Sequence, residues 1–173
     1  MQLKLQVVGL FYNVKLTLPD TGQTVEDVMK AAIANPRGDT GSTNGGAAFN
    51  FGTHFDTPTS TATMSTMSVH YDAQFQSRVL GNYYPEGIYS LAESFDPDQP
   101  KGQYTVWQYY LFDQNDAFMP SKNISESFVN RSVDGVGRVT WRLVSILGGP
   151  TAQLSDMKDL AKRNPTMRAA PSV

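Results

Sequence analysis

The chain has 173 residues and no cysteine. That excludes disulfides, thiolate metal centres and cysteine nucleophiles together, and it leaves the redox compartment undecided. Charge is scarce as well. Only 17% of the residues are charged, against about 25% in an average soluble domain. The surface must therefore be built largely from Ser, Thr, Asn, Gln and Gly, as in secreted proteins and in subunits that bury much of their exterior in an assembly. The formal net charge of −2 supplies no basic excess, so nucleic acid is not an expected partner. No apolar run approaches the roughly 18 residues that a membrane span needs, and membrane insertion is not expected. The start, Met1-Gln-Leu-Lys-Leu-Gln-Val-Val-Gly, lacks the basic segment and long apolar stretch of a signal peptide. The Asn-x-Ser triplets at Asn123 and Asn130 arise too easily by chance to decide the compartment. An extracellular and an assembly-associated location both stay open.

Catalytic signatures are missing too. There is no Gly-x-Ser-x-Gly elbow, and no Lys-Ser/Thr follows Gly45-Gly46 to make a phosphate loop. Glu86, Glu93, Asp96 and Asp98 could be paired on paper, but Asp96-Pro-Asp-Gln-Pro reads as a solvated turn. Neither an enzyme nor a cofactor is expected.

What is present is a run of patterned segments. Leu3, Leu5 and Val7 alternate with Lys4 and Gln6, and Val14, Leu16 and Leu18 with Lys15 and Thr17. Period two predicts two half-buried strands joined through Gly9–Asn13 into a hairpin. Thr24, with Asp27 three residues on, forms a capping-box variant at the start of a helix. Val25, Val28, Met29, Ala32 and Ile33 give that helix one apolar stripe, and Asn35-Pro36 stops it. Residues 37–66 are rich in Gly, Thr, Ser and Asn and read as a flexible loop. A loop of about 30 residues in a compact domain is functional or lies on a partner. Strands are predicted again at Met67–Tyr71, Gly87–Ala92, Tyr104–Phe112 and Arg138–Leu147. Gly148-Gly149-Pro150 closes the domain. The tail beyond it carries Lys158, Lys162, Arg163 and Arg168, with no acid after Asp159. These segments predict a single α+β domain over 1–147 with an insertion at 37–80, and a C-terminal arm at 148–173 lying against a neighbour.

Hairpin, helix, then further strands resemble the ubiquitin-like β-grasp. Thr24-Val-Glu-Asp-Val-Met, Gly87-Ile-Tyr-Ser-Leu, Trp107-Gln-Tyr-Tyr-Leu-Phe and Asp134-Gly-Val-Gly-Arg-Val-Thr-Trp are together similar to the ordered motifs of transcobalamin C-terminal-like domains. The match covers about 100 residues, leaving 37–80 and the tail aside. Asp113-Gln-Asn-Asp stands where those domains have an Asn-Gly turn, and Gly135-Val-Gly where they have Gly-Asp. The resemblance implies a mixed sheet with one packed helix. It also implies, as one alternative, a secreted ligand-binding module of the kind that helps enclose cobalamin in the vitamin B12 carriers.

Two constellations carry chemistry. His54-Phe-Asp56 and His70-Tyr-Asp72 contain the only two histidines, each with a carboxylate two residues on. At strand spacing His54 and Asp56, or His70 and Asp72, share a face and could offer a metal one nitrogen and one oxygen. They serve equally as ordinary strand and loop residues. Aromatics crowd the middle of the chain. Trp107, Tyr109 and Phe112 would be the anchors of a protein-binding patch; the same strand, apolar on both faces, could instead pack under its neighbours or offer a glycan platform. With charge low and no catalytic set, the expected role is a non-catalytic structural or protein-interaction subunit in a homo-oligomeric or larger assembly. Its partners would be copies of itself or other subunits; the alternatives are the transcobalamin-like module and a metal-binding protein.

Overall fold

The computed structural model describes residues 1–10, 12–20, 23–39, 47–55, 62–71, 87–96, 103–120 and 127–147. The expected arm at 148–173 and the rest of the 37–80 insertion lie outside these residues. The fold is α+β: eight strands in two sheets and one helix among the described residues.

The predicted hairpin forms from β1 (Gln2–Val8) and β2 (Tyr12–Thr17), paired antiparallel with Leu5 opposite Val14. Leu3, Leu5, Val7, Tyr12, Val14 and Leu16 are all buried, as period two requires. The helix α1 (Val25–Ala34) starts at the predicted capping box: Asp27 N–H donates to Thr24 Oγ1, and Thr24 N–H to Asp27 Oδ2. The segment ahead of the last strand completes the cap. Val25 N–H donates to the Arg131 carbonyl and Glu26 N–H to that of Phe128, so these N-terminal donors are satisfied within the fold. Val25, Val28, Met29 and Ala32 are buried, while Ile33 ends the stripe 40% exposed.

The larger sheet has the order β2-β1-β8-β7-β6, with β6 (Ser94–Asp96), β7 (Gln103–Asp113) and β8 (Val136–Leu147). β1 pairs parallel with β8, Leu5 against Val139 and Val7 against Trp141; the other pairings are antiparallel. The first strand is thus joined to the last, at the middle of the sheet.

The second sheet corrects the loop expected at 37–66. There β3 (Ala47–Phe55) and β4 (Ala62–Tyr71) form an antiparallel hairpin, and β5 (Gly87–Ala92) adds to β4, giving the order β3-β4-β5. Thr and Ser here serve a pleated surface, to which Thr is well suited. The periodicity is broken by a bulge. Thr53 pairs with Met64 but Gly52 with Thr66, so Ser65 is the extra residue. It shifts the phase and brings Met64 onto the same buried side as Met67, Val69 and Tyr71. Gly87-Ile-Tyr-Ser-Leu therefore belongs to this sheet and not to the sheet of the first hairpin.

The two sheets share one core. Tyr12 stacks on Phe49 with centroids 4.4 Å apart. The Tyr12 hydroxyl donates to the Ala32 carbonyl of the helix, and burial pushes its pKa up. Tyr71 ties β4 to the first hairpin by donating to the Leu10 carbonyl at 2.6 Å.

At Glu93 the chain leaves the second sheet and enters the first. Its N–H donates to the Ser65 carbonyl at the bulge, and its Oε1 accepts from Trp107 N–H at 3.0 Å. The last β6–β7 pair is Ser94 with Thr105, so the carboxylate stands where a continuing strand would have offered a carbonyl. Glu93→Ala is expected to cost about 1–3 kcal/mol in urea unfolding, and Glu93→Gln, which keeps the acceptor, much less. Equal midpoints for the two variants would show that this acceptor is dispensable.

Candidate interaction surface

The three aromatic anchors expected from the sequence are all buried. Trp107 and Tyr109 are 7% and 5% exposed and face the shared core; Tyr109 lies 5.2 Å from Trp141. Phe112 is 6% exposed and points to the opposite face of β7. There the Arg138 guanidinium sits over its ring at 3.8 Å, and Phe118 packs beside it at 5.7 Å. Arg138 is held by Asp116 Oδ1, Gln6 Oε1 and Thr140 Oγ1 at 3.0–3.1 Å. The Tyr110 hydroxyl, its pKa raised by burial, donates to Gln108 Oε1. Both faces of β7 are thus used for packing, and the strand's alternation divides the three residues between them.

The two His-x-Asp triplets lie on the β3–β4 hairpin. His70 is exposed on β4, opposite Ala48, while His54 stands on β3, opposite Thr63. Six residue steps along the hairpin, about 20 Å, separate the two positions. Asp56, Asp72 and the side chain of His54 lie outside the described residues. Among the described residues no group of three or more His, Asp or Glu stands together as metal ligands.

Among the described residues, the outside of the second sheet is a candidate interaction surface. Register aligns its outward residues in rows: Ala48, His70 and Ile88; Asn50, Ser68 and Ser90; Gly52, Thr66 and Ala92. None of them is Asp, Glu, Lys or Arg. Ile88, Ser90 and Ala92 are exposed, and Ile88 is 74% exposed, the most of any large apolar side chain described. Tyr89 and Leu91, pointing inward, are half-buried against the core.

Among the described residues β5 pairs only with β4. A strand paired on one side only is where a further strand can add. Natural edge strands are commonly guarded by charge, proline or a bulge. Gly-Ile-Tyr-Ser-Leu-Ala has no charge and no proline, and its register with β4 is unbroken. An uncharged alternating run was the available signal in the sequence; that β5 would be an edge was not, because this depends on where β3 and β4 lie.

No helix among the described residues is long and apolar enough to cross a membrane. Comparison of the chain with protein families, with curated proteins and with solved structures finds no match.

Proposed function

We propose that this protein is a non-catalytic structural or protein-interaction subunit, joined to other chains, copies of itself first among them, by strand addition at β5. The observation that carries this reading is the uncharged strand β5, paired on one side only among the described residues, with Ile88 74% exposed on it. Two half-buried residues, Tyr89 and Leu91, would be covered by the same event. The low overall charge, 17% of residues, suits a chain that places neutral surface against neutral surface. The larger sheet with its helix reads as a β-grasp of the ubiquitin-like kind. The hairpin–helix order and the parallel pairing of first and last strands support this, as do the transcobalamin-like motifs.

Sedimentation velocity across a wide range of protein concentration tests the function. The wild-type chain is expected to sediment above its monomer mass of 19.0 kDa as concentration rises. Ile88→Lys should weaken that association at least about tenfold, since burying an isoleucine is worth about 1.5–3 kcal/mol. Fold stability should change by no more than about 0.5 kcal/mol, because the side chain is exposed. A wild-type protein that stays monomeric throughout would end this reading.

A further inference from the structure

The face of the larger sheet turned away from the core carries a row of like charges. Lys15 of β2 stands opposite Lys4 of β1, and Lys4 opposite Arg138 of β8. Like charges directly opposite on neighbouring strands repel, and one carboxylate answers the row. Asp116 Oδ1 accepts from Arg138 Nε at 3.1 Å, and its Oδ2 lies 3.8 Å from the Lys4 ammonium. Lys4 is nevertheless 52% exposed. Among the described residues the Lys15 ammonium has no acid within ion-pair distance.

The turn that supplies Asp116 is firmly held. Asp113 Oδ1 accepts from the N–H groups of Asn115 and Ala117, and Gln114 Nε2 donates to the Val136 carbonyl. Asp116 itself takes φ +60°, in the left-handed region. Gly137 lets the turn lie on β8, since a Cβ there would run into the Asp113 carbonyl. Between this turn and the lysine row lies a cleft of about 160 Å³, into which Gln2, Lys4, Lys15, Asp113, Gln114 and Asp116 face.

We propose that this cleft binds a phosphate group between Lys4 and Lys15, as the free anion or carried on a partner chain. Of the two acids facing it, Asp116 is matched by Arg138, and Asp113 is bonded to two backbone N–H groups. The ammoniums of Lys4 and Lys15 are the groups left to meet a ligand, and lysine binds phosphate as a point charge. A phosphate group carries about −1.5 to −2 charges at pH 7 and three acceptor oxygens, so one group answers both ammoniums. A carboxylate, with a single charge, would leave one of them unmatched. The site stands independently of strand addition at β5, which lies in the other sheet.

NMR titration of the isotope-labelled protein with inorganic phosphate, at constant ionic strength held by chloride, tests the proposal. The amides of Gln2, Lys4 and Lys15 are expected to shift saturably, while that of Lys30, paired with Glu26 on α1, stays in place. Lys15→Gln should weaken binding at least about threefold, as should Lys4→Gln. Lys30→Gln changes the net charge equally and should leave the affinity where it is. Asp116→Asn should strengthen binding, because asparagine also tolerates the left-handed backbone and the competing negative charge is gone. A short neutral peptide with one phosphoserine identifies the source. Tighter binding than inorganic phosphate assigns the cleft to a phosphorylated partner, and equal binding assigns it to the free anion. Shifts that stay linear in phosphate, an equal loss in Lys30→Gln, or acetate binding as tightly as phosphate would each overturn the proposal.

Discussion

Trp141→Ala is expected to remove about 3–5 kcal/mol of stability, a large share of the roughly 5–15 kcal/mol that holds a domain folded. Trp141 is 2% exposed on the central strand β8, between Val7 of β1 and Tyr109 of β7 in register. Its ring meets Phe128 edge-on at 5.7 Å and Tyr109 at 5.2 Å. The first of these contacts binds the sheet to the segment that caps α1. Truncation therefore opens a cavity where strands and helix cap meet. Trp141→Phe should cost far less. The indole N–H finds no acceptor among the described residues, so exchanging the indole for a phenyl ring strands no partner and removes a desolvated donor. Ile33→Ala, at the exposed end of the helical stripe, is the control. A urea midpoint for Trp141→Ala that moves no further than that of Ile33→Ala would show that this junction does not hold the fold together.

The second large effect lies at Gly38, just beyond α1, which has φ +68°. A side chain there would adopt the left-handed backbone at a cost of about 1–2 kcal/mol. The added Cβ would also stand 2.6 Å from the Lys15 carbonyl oxygen. That oxygen accepts from Asp39 N–H at 3.0 Å, so it cannot withdraw without breaking the bond that returns the chain to β2. Adding overlap of about 1–3 kcal/mol, Gly38→Ala is expected to lose about 2–5 kcal/mol in chemical denaturation. A loss below about 0.5 kcal/mol, typical of an innocuous surface change, would mean that the turn rearranges freely.

Legibility from the sequence followed the range of the interactions concerned. The hairpin, the helix and β8 were readable because Leu3-x-Leu-x-Val, the Thr24–Asp27 cap and Val139-x-Trp-x-Leu express their structure within a few residues. The β3–β4 hairpin was not. The extra residue Ser65 breaks the alternation just where Met64 and Met67 would have revealed it, and the Thr- and Ser-rich composition resembles a linker. β6 is three residues long and exists only through pairing with β7. The aromatic strand was legible as a strand, but with both faces apolar it held no sign that Trp107 and Tyr109 would be divided from Phe112, or that all three would be buried. For β5 the strand was plain and its sheet was not: Gly87–Ala92 is assigned to an edge by β4, not by anything within itself.

The parallel pairing of β1 with β8 sets a timetable for the nascent chain. Leu5 cannot meet Val139 until nearly the whole domain has been synthesised, so the side of β1 that β8 covers stays unpaired until then. Contacts so distant in sequence slow folding, and an unpaired apolar strand invites wrong neighbours during the wait. Lys4 and Lys15, opposite each other on that hairpin and outside the core, place positive charge on the face that such neighbours would meet.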